Sequence, residues 1–301
     1  MSELSKTLRP MTIGDILDRS IQLYRSNLPK FIGIVLLVKG PYLILGYILT
    51  RLIEVLFAGV PHTAGEDAAQ MATYGASVIA FSLITFLELL FVDPILIAAM
   101  TMAISERFLN RDIGVTEAYK KISRRFLPLL GTTLLRGAII FAVVAVCVFL
   151  SLSALMAGAQ SGFIMVIFGL ILAGVLWVWY AFIPQTVVIE GEGGISAMKR
   201  SKYLVRGYFI RAFVLLILIY IAMALIIEIT SFGIERSLFL LGQYSSLLAE
   251  GASNVISVLL EPFRIAAMTL LYYDFRIRKE GFDLEIMAEE LEADMENDYG
   301  V

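Results

Sequence analysis

Six long stretches of nearly unbroken apolar residues, at 31–57, 76–104, 127–155, 162–189, 209–232 and 255–275, alternate with short polar segments. About 20 apolar residues suffice to cross the hydrocarbon core of a bilayer as a helix. In lipid a helix satisfies its own backbone, and at this apolarity nothing else does. The pattern predicts an all-α integral membrane protein with six transmembrane helices. Several stretches exceed the minimum, which implies tilt, kinking or extension into the interface. Ahead of the first stretch the period changes: Ile13, Ile16, Leu17, Ile21 and Tyr24 recur at helical spacing among charged residues. Such a helix lies at the membrane face or packs on the bundle as an elbow. Thr12-Ile13-Gly14-Asp15 opens it with the Ser/Thr-x-x-acid spacing of a capping box.

The chain also repeats itself. Asp93-Pro94-Ile95-Leu96-Ile97-Ala98-Ala99-Met100-Thr101 returns as Glu261-Pro262-Phe263-Arg264-Ile265-Ala266-Ala267-Met268-Thr269, acid for acid at the first position. Arg19-Ser20 matches Arg200-Ser201, Leu23 with Arg25 matches Leu204 with Arg206, and Gly114-Val115-Thr116 resembles Gly194-Ile195-Ser196. Each even-numbered span carries a proline, Pro94, Pro184 or Pro262, expected to kink it. These matches predict three repeats of an amphipathic helix plus two spans, at about 12–110, 114–190 and 194–279. The repeats form a single membrane domain over 1–279, followed by an acidic tail over 280–301.

Charge sets the orientation. Lys6, Arg9, Arg19, Arg25 and Lys30 precede the first span. Arg107, Arg111, Lys120, Lys121, Arg124 and Arg125 lie in the second connection, and Lys199, Arg200, Lys202, Arg206 and Arg211 in the fourth. Arg276, Arg278 and Lys279 follow the last span, whereas the odd connections hold little that is basic beyond Arg236. The positive-inside rule then predicts cytoplasmic N- and C-termini, in the cytoplasmic membrane of a bacterium. Composition agrees with a membrane protein: 59% of residues are hydrophobic and mean hydropathy is +0.83. The first 30 residues are charged and amphipathic and lack a cleavable signal pattern, so the first span is expected to act as the targeting signal and remain. The only cysteine, Cys147, is flanked by Val146 and Val148 and reads as a small apolar core residue.

Little in the chain points to enzymatic chemistry. The only histidine, His62, shares its connection with Glu66 and Asp67, which reads as a solvated loop. Gly191-Glu192-Gly193-Gly194 reads as a chain break and not as a phosphate cradle. No nucleophile–base pair or zinc spacing stands out, and no cofactor, metal or nucleic acid is expected. The polar residues inside the spans remain: Glu88, Asp93, Arg136, Glu228, Glu261 and Arg264. Such groups are costly in lipid and face the bundle interior. Asp93 and Glu261 lie ~16–22 Å along the helix from the basic exits, at 1.5 Å per residue. Glu261 and Arg264 can pair at i, i+3, and Arg136 is expected to answer Asp93 or Glu88 across helices. The proline after each acid removes an N–H, freeing the carbonyls of Leu90 and Val258. This cluster is expected to act as interhelical staples. Its alternative role is a substrate or proton pathway, since transporters build sites from kinked helices and carboxylates.

Leu8-Arg9-Pro10, Gly14-Asp15-Ile16-Leu17-Asp18-Arg19 and Leu23-Tyr24-Arg25 resemble the opening of a bacterial family named for the glycerophosphoryl diester phosphodiesterase membrane domain. Val188-Ile189-Glu190-Gly191 with Ala197, Arg200 and Ser201, and the exit Leu271-Tyr272-Tyr273-Asp274-Phe275-Arg276 through Asp283, are similar to it as well. The resemblance implies a multi-span protein. The soluble phosphodiesterase domain carried by some members is expected to be absent here. From 280 to 298 the chain has nine acids and no base, a solvated tail or a docking segment for a partner or for the basic helices. The leading expectation is a non-enzymatic scaffold or accessory subunit. Its partners would be membrane lipid, including anionic headgroups at the basic face, and an unidentified protein. The alternative is a small-molecule or lipid transporter using the intramembrane carboxylates.

Overall fold

The computed structural model describes residues 9–58, 66–109, 111–159, 161–237, 242–286 and 288, and it contains helices and no strand among them. Six helical segments are long and apolar enough to cross a membrane: Leu28–Leu49, Phe81–Phe108, Phe126–Met156, Ser161–Glu190, Phe209–Ser237 and Gly251–Glu280. His62 and most of the acidic tail lie outside the described residues.

Helix α1 (Ile13–Ser26) starts at the expected cap: Thr12 Oγ1 accepts from the Asp15 N–H at 3.1 Å, and Asp15 Oδ2 accepts from the Thr12 N–H at 2.8 Å. The long helix α2 (Leu28–Ala58) follows almost without a break, and α3 (Glu66–Leu87) returns. A π turn at Glu88–Val92 joins α3 to α4 (Asp93–Phe108), which places Pro94 in the first turn of α4. The helix runs on through the π turn, so Pro94 follows directly on the register shift. The short amphipathic helix α5 (Val115–Ile122) precedes α6 (Phe126–Met156), and α7 (Ser161–Trp179) runs back beside it. The fourth span then breaks at Tyr180–Phe182, resumes as a single turn at Ile183–Gln185, and ends in a second π turn at Thr186–Glu190. Gly191 closes it with φ +80°, and Gly194 follows with φ +64°, so the glycine cluster is a chain break, as its composition suggested. Helices α8 (Gly194–Val205), α9 (Phe209–Ser237) and α10 (Gln243–Glu280, with Pro262 inside) complete the chain.

Two helices are central. Helix α4 packs on α2, α5, α6 and α10, and α10 packs on α1, α2, α4 and α9. The duplicated segment explains this: Ala98, Ala99, Met100 and Thr101 on α4 and Ala266, Ala267, Met268 and Thr269 on α10 are all buried. Small residues let helix backbones approach closely where no hydrophobic force drives them together. The rest of the apolar surface points outward, as Phe141, Phe149, Phe168, Ile221 and Phe232 do, the arrangement a lipid solvent favours. Helices α6 and α7 approach so closely that a Cβ on Gly169 would lie 2.5 Å from Cys147 Cβ. Cys147 is therefore a half-buried packing residue facing a glycine.

At the basic end α1 and α8 are tied to α10. Asp274, fully buried, accepts the Met11 N–H at 2.8 Å, Arg211 Nε at 3.1 Å and Arg278 Nε at 3.0 Å. Arg200 bonds Glu190 at 2.7 Å and reaches Glu280, and Tyr272 donates to Glu190. Burial alone would weaken the charge on Arg200, but these carboxylates outweigh it and raise its pKa. The Tyr273 and Ser105 hydroxyls meet at 2.6 Å, and Phe282 stacks on Tyr273 at 5.5 Å. The start of the tail therefore folds back on the bundle, with Glu285 3.6 Å from Arg276.

Candidate functional site

A cavity of about 380 Å³ lies between the helices at the depth of the proline segments. Every span contributes to its wall: Lys39 from α2, Asp93, Pro94 and Ile97 from α4, and Thr133 and Arg136 from α6. Trp177 lines it from α7, with Ala181, Pro184 and Gln185 from the broken part of the fourth span. Leu216, Tyr220 and Met223 come from α9, and Glu261, Arg264 and Ile265 from α10.

The backbone irregularities have specific partners. Ser201, buried on α8, bridges the break in the fourth span by donating to the Trp179 carbonyl at 2.8 Å and accepting the Phe182 N–H at 3.1 Å. Pro262 loosens the ladder of α10, and the Leu259 carbonyl on the turn before it accepts the Tyr24 hydroxyl at 3.0 Å. Before Pro94 the ladder does not simply lose a donor. It shifts register, with the Asp93 N–H bonding the Glu88 carbonyl five residues back. π turns of this kind occur often at functional sites.

The six polar residues singled out in the sequence are distributed as follows. Glu261 and Arg264 pair, with Arg264 Nε 3.1 Å from Glu261 Oε2 and Nη2 bonding Oε1. Arg264 Nη1 also reaches the Tyr220 hydroxyl at 3.5 Å, and Tyr220 packs on Trp177 with ring centroids 5.4 Å apart. Asp93 and Glu88 stand together at the other side. The cation that answers them is Lys39, 3.0 Å from Glu88 Oε1 and 3.3 Å from Asp93 Oδ1, and not Arg136 as expected. The Asp93 contact is an ion pair by distance, yet Oδ1 accepts no hydrogen bond. The Tyr42 hydroxyl donates to Glu88 Oε2 at 2.8 Å. Arg136 lines the cavity without an ion pair or hydrogen bond among the described residues. Gln185 Oε1 is buried and unbonded. Glu228 stands apart, exposed on α9.

Lys39 escaped the sequence reading because the first span still averages as apolar around it, although Lys39-Gly40-Pro41 inside such a run was the available signal. Tyr42, Gln185 and Tyr220 carried none, since each looks like an ordinary span residue. Among the described residues no three His, Cys, Asp or Glu side chains converge as a metal would require. The site can hold a small molecule by charge and hydrogen bonds against an apolar wall.

No curated protein and no solved structure matches this chain. One family model matches, over residues 52–275, and nothing in that match links the chain to the glycerophosphoryl diester phosphodiesterase membrane domain. The matched segment is most of the chain and takes in all but the first span, so the chain belongs to the family described as a domain of unknown function, DUF7847.

Proposed function

We propose that this chain is a membrane carrier that binds a small polar solute in the cavity between its six spans. The observation that supports this reading is the cavity wall itself: all six spans meet there, and charged side chains line it at membrane depth. Lys39 and Arg136 lie 11 and 10 residues inside their helices, roughly 15 Å along the axis. Ionisable groups so deep are expensive and mark solute or ion pathways. Broken backbone at that depth is tolerated where it lines a cavity or is buried in protein, and Ala181 sits in such a break with Pro184 on the turn after it. Discontinuous helices around a mid-membrane site are how secondary transporters are built.

In this reading the chain consists of three repeats, and their kinked even spans converge on the site through Pro94, Pro184 and the Glu261-Pro262 segment. The basic end faces the cytoplasm, both termini lie on that side, and the membrane is the cytoplasmic membrane of a bacterium. The rival reading, an accessory scaffold, is favoured by the network that binds α1 and α8 to α10, and it leaves the cavity incidental.

The test is uptake by reconstituted vesicles. Wild type and Ala181→Phe, which fills the cavity, are compared on labelled amino acids, organic acids, sugars and short-chain lipids. At least one class should enter faster than into protein-free vesicles, and Ala181→Phe should lose that flux while melting within a few degrees of wild type. No flux for any class would favour the scaffold.

A further inference from the structure

We infer that the solute is an organic monoanion docked on Arg136, bound together with one proton held by the Glu88–Asp93 pair. The inference rests on the cavity being a solute site, and it follows from how charge is distributed around that cavity.

Three acids and three bases belong to the cluster, so the set is formally neutral, but the charges are not matched one to one. Arg264 and Glu261 satisfy each other through two hydrogen bonds. Lys39 lies between two carboxylates, at 3.0 Å and 3.3 Å. Arg136 is left without a counter-charge among the described residues, and the ionised group acting on it is Arg264, of the same sign. A guanidinium left without a counter-charge at this depth of a span is costly. Its planar fork of donors fits a carboxylate in two parallel hydrogen bonds. Thr133, one turn earlier on α6, and Tyr220 bring hydroxyls to the same wall, while Trp177, Leu216 and Met223 make it apolar. An anion with an apolar body matches that lining better than a bare inorganic ion would.

The proton follows from neutrality. A monoanion on Arg136 would leave the whole cluster at −1 in a low-dielectric medium, where unbalanced charge is costly. The surplus acid is at the Lys39 end, where two carboxylates share one ammonium. A proton taken from solvent onto one carboxylate oxygen of that pair restores neutrality. The groups facing the pair are Lys39 and Tyr42 from α2, and Glu261 and Arg264 from α10. None of these supplies a second cation unengaged elsewhere. One ammonium lies against both carboxylates, so the proton is assigned to the pair and not to one member.

Calorimetry on delipidated protein in an uncharged detergent tests this with a series of similar shape. The probes are benzoate, benzenesulfonate, benzamide, benzylammonium and dihexanoyl phosphatidylglycerol. Both soluble anions should bind and the neutral and cationic probes should not. Arg136→Gln should weaken the anions at least tenfold while its melting stays close to wild type. Titrations in buffers of different ionisation enthalpy should report about one proton taken up per anion. Benzenesulfonate does not itself titrate, so its affinity should rise as pH falls, by up to about tenfold per unit. Glu88→Gln/Asp93→Asn should abolish that dependence. Anion binding without proton uptake, or anion binding indifferent to Arg136→Gln, overturns the inference. So does preference for benzamide or benzylammonium, although that result leaves the solute-site reading standing. Binding of the phosphatidylglycerol alone assigns Arg136 to a lipid headgroup and overturns the soluble anion. If no probe binds and no other solute stabilises the protein, the carrier reading fails as well.

Discussion

Glu261 and Arg264 face each other across one turn of a single helix, so neutralising either strands its partner. Glu261→Gln is expected to lower stability by roughly 3–5 kcal/mol on the scale of soluble proteins, with lipid-embedded contacts tending lower. Asp93→Asn is expected to be milder, because Lys39 keeps Glu88 at 3.0 Å. Thermal unfolding of both variants in one detergent checks that order, and equal losses would contradict it. Asp15 offers a pH-dependent comparison. Hydrogen bonds from the Thr12 backbone and hydroxyl hold its carboxyl below the usual range, against a small opposing effect of burial. Its folded pKa is depressed, so the cap contributes above the unfolded value, near pH 4, and is lost as pH falls through the folded one. Carboxyl chemical shifts followed through acid should show Asp15 titrating below an unstructured aspartate. The acids themselves were legible in the sequence, because a carboxylate before proline inside an apolar run is conspicuous. Their partners were not. Pairing Lys39 with Asp93, and leaving Arg136 alone, depends on how α2 and α6 rotate about their axes, and uniformly apolar spans give no face to read.

The elements divide along a similar line. Capping boxes and apolar run lengths depend on neighbouring residues, and α1 begins where Thr12 and Asp15 place it. The prolines located the irregular segments but not their form. Around Pro184 the residues stay apolar, so a hydropathy pattern reads straight through a backbone that in fact stops at Trp179 and restarts at Ile183. The stitch across that gap comes from Ser201, in a different helix. Ser201→Ala is expected to leave one carbonyl and one N–H unpaired, at about 1–3 kcal/mol for each buried group. Hydrogen exchange at Phe182 should accelerate in that variant, and unchanged protection would mean water fills the gap. The α6–α7 contact gives a packing test. Gly169→Leu would drive a side chain into Cys147 and is expected to cost about 1–3 kcal/mol through overpacking. Gly174→Leu, with nothing within 4 Å of the built Cβ, should be tolerated. Equal melting of the two would remove the close approach.

For the whole molecule, the charge pattern predicts a sidedness that is open to direct measurement. Single cysteines introduced into a Cys147→Ala background should react with a membrane-impermeant reagent from outside at Ser161 and be protected at Thr116 and Ser196. Labelling of Thr116 from outside would invert the assigned orientation. The tie at Asp274 bears on how such a chain is made. Met11 and Asp274 are 263 residues apart in sequence yet share a hydrogen bond in the buried base of the fold. A ribosome delivers Met11 long before Asp274. Until α10 arrives, then, the opening helix has only its smaller contacts with α2 and α4. Spans one to five enter the bilayer before the helix that organises them exists, and α10 arrives as the keystone. Locking α1 in place therefore waits for α10, and a chain stalled before it would hold the five earlier spans without the helix on which α1, α2, α4 and α9 pack.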